Sequence, residues 1–222
     1  MERHVSLNEI SDGKLYGLND MVKAGCNGCT GCSACCRGMG NSIVLDPLDI
    51  YHLTGNLHMN FEELLIGKLE LSVVDGIVLP NLKMTGTEES CSFLNREGRC
   101  DIHSFRPGFC RLFPLGRYYE NNSFHYIHQI HECKYPTKTK VKVRKWIDIP
   151  DIKEYEAYVM EWHSLLKELQ AAMGSIQEHT LVKQLNLVML KLFYMNPYEN
   201  GDFYPQFYER LEKARKILYS RE

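Results

Sequence analysis

Five cysteines fall within eleven residues near the start of the chain, Cys26, Cys29, Cys32, Cys35 and Cys36, and four more follow at Cys91, Cys100, Cys110 and Cys133. Thiolate is the soft, strongly donating ligand taken by zinc and by iron–sulfur clusters. Two intervening residues let a turn bring both sulfurs of a C-x2-C pair to one ion. Five sulfurs this close repel one another or oxidise unless something holds them. A disulfide framework fits less well. Adjacent Cys35 and Cys36 do not readily bridge, nine is an odd number, and the opening MERHVSLNEISDGK lacks the apolar run of a secretory signal. The expectation is a cytoplasmic protein, where a reducing environment leaves thiols available as ligands.

At 222 residues the chain can bury a core without help from a metal, so this many cysteines implies more than bulk stabilisation. No apolar run approaches the length that spans a bilayer, and no membrane partner is expected. With 26 basic and 28 acidic side chains the formal charge is -2, which gives no electrostatic case for nucleic acid. One basic segment, Lys134 to Lys145 (KYPTKTKVKVRK), holds no acidic residue. Its alternation of lysine with threonine and valine reads as an exposed edge strand protected by charge, although it also offers a contact for phosphate or an acidic partner.

The fold class expected is α+β. The cysteines lie in a loop-rich region with short antiparallel hairpins and small helices, residues 1–150, and a helical region, residues 151–222, packs on it. Asp46-Pro47 marks a helix start over LDIYHLT, and Asn60 caps FEELLIGKL. Asp75-Gly76 between LSVV and IVLPNL is a hairpin signal, because both turn residues tolerate positive φ, and Asn121-Asn122 marks a second hairpin. After residue 151 the apolar period changes to that of a helix. Ile152, Tyr155, Val159, Trp162, Leu166, Leu169 and Met173 trace one face, ended by Gly174. Ser175 and Glu178 read as a capping box for a second helix with Leu181, Leu185, Val188, Leu192 and Met195 inward, stopped by Asn196-Pro197. Asp202 caps a third, with Phe207, Leu211, Ala214 and Leu218 on its inner face.

Cys26, Cys29, Cys32 and Cys36 have the C-x2-C-x2-C-x3-C spacing with which bacterial ferredoxins hold [4Fe-4S] clusters, except that Arg37 stands where a ferredoxin has proline. The later group reads Cys91-Ser-Phe-Leu, Gly98-Arg-Cys100-Asp-Ile and Arg106-Pro107-Gly-Phe-Cys110-Arg111-Leu-Phe113-Pro114, closed by Cys133. Together with Cys29-x2-Cys32-x2-Cys35-Cys36, this pattern resembles the CxxCxxCC cysteine-cluster family, also called YkgJ-type, a zinc- or iron-chelating domain. Cys26 is an addition to the family's first motif. The resemblance covers residues 26 to 133, and the helical region lies outside it.

The resemblance implies that metal ions are partners of this chain, with an iron–sulfur cluster, [4Fe-4S] by the ferredoxin-like spacing, or zinc as cofactor. The ligand candidates are Cys26, Cys29, Cys32, Cys35, Cys36, Cys91, Cys100, Cys110 and Cys133. Which sulfurs share a metal is left open. Four thiolates around Zn2+ or a doubly positive cluster leave about two negative charges to be offset. Arg106 and Arg111, both within the resemblance, are the main candidates to do so, with Arg37, Arg99 and Lys134 also beside cysteines. His103 and His131 are alternative ligands. The functions implied are redox, metal handling or protein modification. The same cysteine pattern is similar to that in flagellin lysine N-methylases, so a methylase-like enzyme is an alternative, and a zinc-stapled module that docks a protein through its helices is another. No Ser/His/Asp arrangement, phosphate-binding glycine loop or HExxH motif appears, which restricts catalysis to metal chemistry.

Overall fold

A computed structural model describes residues 6–26 and 32–219. In chain order the elements are α1 (Leu7–Ile10), β1 (Met21–Gly25), α2 (Pro47–Leu57), α3 (Phe61–Gly67), β2 (Leu69–Val74), β3 (Ile77–Leu82), β4 (Met84–Thr85) and β5 (Ser90–Cys91). There follow α4 (Gly108–Leu112), β6 (Leu115–Glu120), β7 (Ser123–His128), β8 (Thr139–Lys142), α5 (Val143–Ile147), α6 (Ile152–Ser175), α7 (His179–Leu190) and α8 (Phe203–Tyr219). Every sheet among the described residues is a two-stranded antiparallel pair: β1 with β8, β2 with β3, β4 with β5 and β6 with β7. The fold is therefore mixed, with hairpins ahead of the long helices, as the change of period implies. None of the described helices is long and apolar enough to cross a membrane.

The chain divides into two compact units, Met1–Gly40 with Met84–Met160, and Asn41–Lys83 with Glu161–Glu222. All eight described cysteines belong to the first. Its core is Val22 and Ala24 of β1, Leu112 of α4, Leu115 and Tyr126 of the β6–β7 hairpin, and Val143 and Ile147 of α5. The hairpin turns at Asn121-Asn122, both at positive φ, which asparagine tolerates better than most residues. Arg117 of β6 lies over the rings of Phe124 and Tyr155, 5.6 and 5.5 Å from their centroids, and donates to the Tyr155 hydroxyl at 2.8 Å. Tyr126 donates to Glu156 at 2.8 Å, so the first turn of α6 is tied to the hairpin by polar as well as apolar contacts. The lysine-rich segment forms β8, paired with β1 through an irregular register. A Cβ at Gly25 would run into Thr139 opposite, which explains glycine there.

Residues 6–18 lie along the outer edge of β7, with bridges between Ser11 and Gln129 and between Tyr16 and Tyr126. The Tyr16 hydroxyl donates to Asp12 at 2.6 Å, and the same carboxylate lies 3.8 Å from Nδ1 of buried His128. Burial lowers the His128 pKa below its ordinary 6.5. Lys138 and Lys23 reinforce this, while Asp12 acts in the opposite direction. A histidine kept neutral by folding stabilises the native state above its unfolded pKa, and that stability is lost as the unfolded chain takes the proton first. We expect the stability of this unit to fall as pH drops below about 6.5, and His128→Gln to flatten the dependence. Amide exchange at residues 11–16 between pH 8 and 5 measures it; an unchanged profile would contradict the coupling.

In the second unit the caps are local and strong. Asp46 and Asn60 each accept from the third residue of their helix, Asp49 and Glu63, whose side chains reach back to the cap. Trp162, Phe193, Phe203 and Phe207 form the aromatic centre, with Trp162 and Phe193 edge to face at 5.0 Å. On α6 and α8 the expected faces are inward, including Trp162, Leu169 and Met173, and Phe207, Leu211 and Ala214. The Asp202 carboxylate accepts from the Tyr204 amide at 3.1 Å.

The reading of α7 needs two corrections. Ser175 does not open it: its hydroxyl donates to Ala172 within α6, and α7 begins at His179 behind Glu178, which makes no side-chain cap. The inward face is also rotated. Val188 is exposed, and Leu185, Asn186, Met189 and Leu190 are buried. Asn186 causes the rotation, because its side chain finishes the edge of the β2–β3 hairpin. Its Oδ1 accepts from the Val78 amide at 2.7 Å, and its Nδ2 donates to the carbonyls of Gly76 and Val182 at 3.2 and 3.1 Å. Asn186→Leu leaves the Val78 amide and the Gly76 carbonyl without this partner, and should cost about 1–3 kcal/mol in denaturant unfolding. A neutral result would show that water replaces the asparagine.

Candidate metal centre

Three short pieces of backbone carry the sulfurs. The first is a single 3-10 turn, Ala34–Cys36, closed by the Cys36 amide donating to the Ser33 carbonyl at 2.9 Å. Directly after it Arg37 bridges Ser90, the Gly38 amide donates to the Glu89 carbonyl at 3.0 Å, and Arg37 donates to Glu88 and, at 2.7 Å, to the Ser90 hydroxyl. Cys36 and Cys91 are therefore each one residue from an antiparallel bridge, on the sides that face. Arg37 spends its charge on Glu88, fastening β5 to the first motif.

The second piece is the loop from Cys91 to Cys100. The Leu94 amide donates to the Cys91 carbonyl at 2.8 Å, Leu94 bridges Cys100, and the Asp101 amide donates to Phe93 at 2.9 Å. Asn95 organises the tip: its Oδ1 accepts from the Arg99 amide and its Nδ2 donates to Asp101, both at 2.8 Å. Gly98 turns the chain at φ +70°, and a Cβ there would sit 3.9 Å from Ser33 Oγ, so the loop tip lies beside the start of the 3-10 turn.

The third piece is α4, with Cys110. Leu112 anchors it in the core, and the Trp146 indole donates to the Leu112 and Phe113 carbonyls at 3.2 Å. Arg111 donates to the Asp148 and Ser104 carbonyls at 3.3 and 3.0 Å, tying α4 to the segment after α5 and to the turn after Cys100. Arg106 donates to Nε2 of His103 at 2.8 Å, so that nitrogen is an acceptor and His103 carries its proton on Nδ1. Burial, then Arg106, Arg111 and Arg99, lower the His103 pKa and keep it neutral.

These pieces bring Cys35, Cys36, Cys100 and Cys110 into electrostatic reach of one another. Cys36, hydrogen-bonded to it, lowers the Cys35 pKa to about 7; burial opposes this and Arg106 assists. The Cys36 thiol is pushed up by that hydrogen bond, by burial, and by the charges of Cys35, Cys100 and Cys110. Burial raises Cys100, offset in part by the Ile102 amide and Arg106. Among the described residues, no three His, Cys, Asp or Glu side chains converge closely enough to enclose a metal ion. Cys32 is half-buried ahead of the turn, and Cys29 lies outside the described residues. Cys26 is buried at the end of β1. Cys133 is half-buried in the loop before β8, apart in sequence from the turn, loop and helix.

The donor set fits a soft metal. Arg106 Nε is buried without a hydrogen-bond partner among the described residues, while the same guanidinium acts on Cys35 and Cys100. A buried donor left so is costly, and concentrated negative charge on neighbouring sulfurs would offset that cost. Sequence reading did not find His103 as the acceptor that orients Arg106. The signal was local: His103 and Arg106 stand three apart in a turn stopped by Pro107.

Cysteines carried on a turn, a loop and a short helix, with Arg106 acting on two of them, fit a cysteine-cluster chelating protein. The CxxCxxCC family model, described as a putative zinc- or iron-chelating domain, matches residues 28–140, just over half of the chain, and the protein belongs to that family. Metal binding is its general function. No curated protein and no solved structure matches the chain.

The thiol environments can be tested without metal. At pH 7 the reduced, metal-free protein should alkylate at Cys35 before Cys36, read by peptide mass spectrometry, because the hydrogen bond between them lowers the Cys35 pKa and raises that of Cys36. Arg106→Gln should slow Cys35. Equal labelling of the two neighbours would contradict the arrangement.

Proposed function

We propose that the protein holds an iron–sulfur cluster on thiolates drawn from both cysteine groups and uses it in redox or metal-handling chemistry. Cys35, Cys36, Cys100 and Cys110 are the proposed central ligands. Cys91 stands one residue from the bridge that fastens the first motif, and Cys29 and Cys32 belong to the ferredoxin-like spacing. Cys26 and Cys133 remain candidates for a second position. A bound cluster supplies one-electron transfer; the chain supplies the thiolates, the charge around them and the exclusion of water. The proposal assigns all ligands to the region before residue 150 and none to the helices after it.

The observation that carries this reading is the buried, unbonded Arg106 Nε, on a guanidinium whose charge acts on Cys35 and Cys100. A guanidinium in that position lowers the cost of gathering thiolates and shifts the potential of a redox centre. Arg111, held by two backbone carbonyls, would act by keeping α4 in place. Zinc is the second reading, favoured by the family description, which names zinc beside iron. A methylase-like activity has no further observation in its favour.

Anaerobic purification, elemental analysis and electron paramagnetic resonance of the reduced protein decide between them. A brown protein with iron, labile sulfide and a reduced-state signal is expected. Cys36→Ser and Cys100→Ser should each lower iron content, and Arg106→Gln should shift the midpoint potential while leaving iron bound. Stoichiometric zinc without colour would establish the zinc reading. A protein that retains neither metal would overturn both.

A further inference from the structure

The β2–β3 hairpin has one edge covered and one open. Its two-residue turn, Asp75-Gly76, has both residues at positive φ, and the register runs without a bulge from Leu69 opposite Leu82 to Val74 opposite Ile77. In such a hairpin the residues flanking the turn exchange both hydrogen bonds, and every second pair does so thereafter. Val74, Ser72 and Glu70 therefore bond to β3, and the backbone groups of Val73, Leu71 and Leu69 point away from it. On the β3 side the outward groups are taken: Asn186 accepts from Val78, Pro80 has no N–H and its carbonyl accepts from Leu45, and Leu82 donates to Ile43. On the β2 side no described strand pairs with the edge.

That edge lacks the devices that usually protect one. β8 in the same chain alternates lysine along its length, whereas the interior of β2 has no lysine, proline or bulge. Instead Leu71 and Val73 are 41% and 69% exposed, and Ile66, just before the strand, is 82% exposed. Isolated exposed apolar residues are ordinary; two on one face of a strand whose outward-pointing backbone groups are unpaired are the template for strand addition.

We infer that β2 pairs antiparallel with β2 of a second copy of this chain, joining two hairpins into a four-stranded sheet. The sequence LELSVV is self-complementary about Leu71. In that two-fold register Leu71 faces Leu71, Leu69 faces Val73, and Glu70, the one charged residue of the strand, faces Ser72 rather than another carboxylate. The Ser72 hydroxyl has no hydrogen-bond partner among the described residues, and the register sets a carboxylate across from it. The register keeps the one carboxylate of the strand away from its own symmetry mate, as pairing with an identical copy requires.

Sedimentation equilibrium of the full chain, kept reduced so that thiols cannot cross-link it, tests the pairing. A reversible monomer–dimer equilibrium is expected, with the Leu71 and Val73 amides gaining exchange protection as concentration rises. Val73→Lys should raise the dissociation constant at least about tenfold, because the two-fold axis places every substitution in the interface twice. Val73 is largely exposed, so an unchanged thermal unfolding curve will confirm that the variant folds. A protein that stays monomeric at its solubility limit overturns the inference. So does a dimer that survives Val73→Lys or leaves both amides unprotected, or a monomer that instead captures a strand peptide of different sequence. These outcomes are independent of metal content, so they stand apart from the test of the metal centre.

Discussion

Crowded thiols cannot all ionise unaided. Two thiolates about 5 Å apart at an effective dielectric near 20 repel by roughly 3 kcal/mol. The charges of Cys35, Cys100 and Cys110 act on Cys36, and that of Cys35 acts on Cys100, with a division of labour as the result. One neighbour of the adjacent pair is easily ionised, and the other is held as a thiol by hydrogen bond, burial and surrounding charge. Arg106 favours the thiolate at Cys35 and at Cys100, and a metal in the proposed site would favour it further.

Much of the surrounding unit can be understood as what holds charge-bearing pieces in place. Hydrogen bonds around single residues do this rather than extensive sheet. Asn95 shapes the tip of the Cys91–Cys100 loop, Trp146 fixes the end of α4, and Arg111 ties that helix to two other segments. None of these supports is a cysteine, and each acts through backbone carbonyls or amides. Losing one would displace sulfurs without removing a ligand. Arg111 is suited to this because its planar fork reaches two carbonyls at once, which an ammonium does less well.

What could be read from the sequence was what short-range chemistry decides. Asp75-Gly76 and Asn121-Asn122 specified their hairpins because positive φ is a local demand. Asp46 and Asn60 specified helix starts because a cap and its third residue are neighbours. The faces of α6 and α8 followed from apolar period alone. α7 did not, because Asn186 looks like an outward residue until its partners, Gly76 and Val78, are known, and those lie more than a hundred positions away. The cysteine pattern announced metal chemistry and the family, but it could not say that Cys35, Cys100 and Cys110 come within electrostatic reach of Cys36. The placement of their backbone pieces rests on Trp146, Arg111 and the Arg37–Ser90 bridge, which have no signature in the spacing.

The same contrast bears on the chemistry proposed. His103 looked like an alternative ligand because it follows Cys100 closely, yet its Nε2 accepts from Arg106 and its charge is disfavoured by burial and then by three arginines. The proposed ligands are all sulfur, and such a set suits the metals that prefer thiolate, zinc and iron among them, rather than the hard cations calcium and magnesium. Positive charge beside such a set has different consequences for the two. Around zinc it alters affinity. Around a cluster it also favours the reduced state, because reduction adds an electron to an already anionic centre. The cationic neighbourhood of Arg99, Arg106 and Arg111 therefore has more to do in an iron–sulfur protein than in a zinc one, which is the physical reason for preferring that reading.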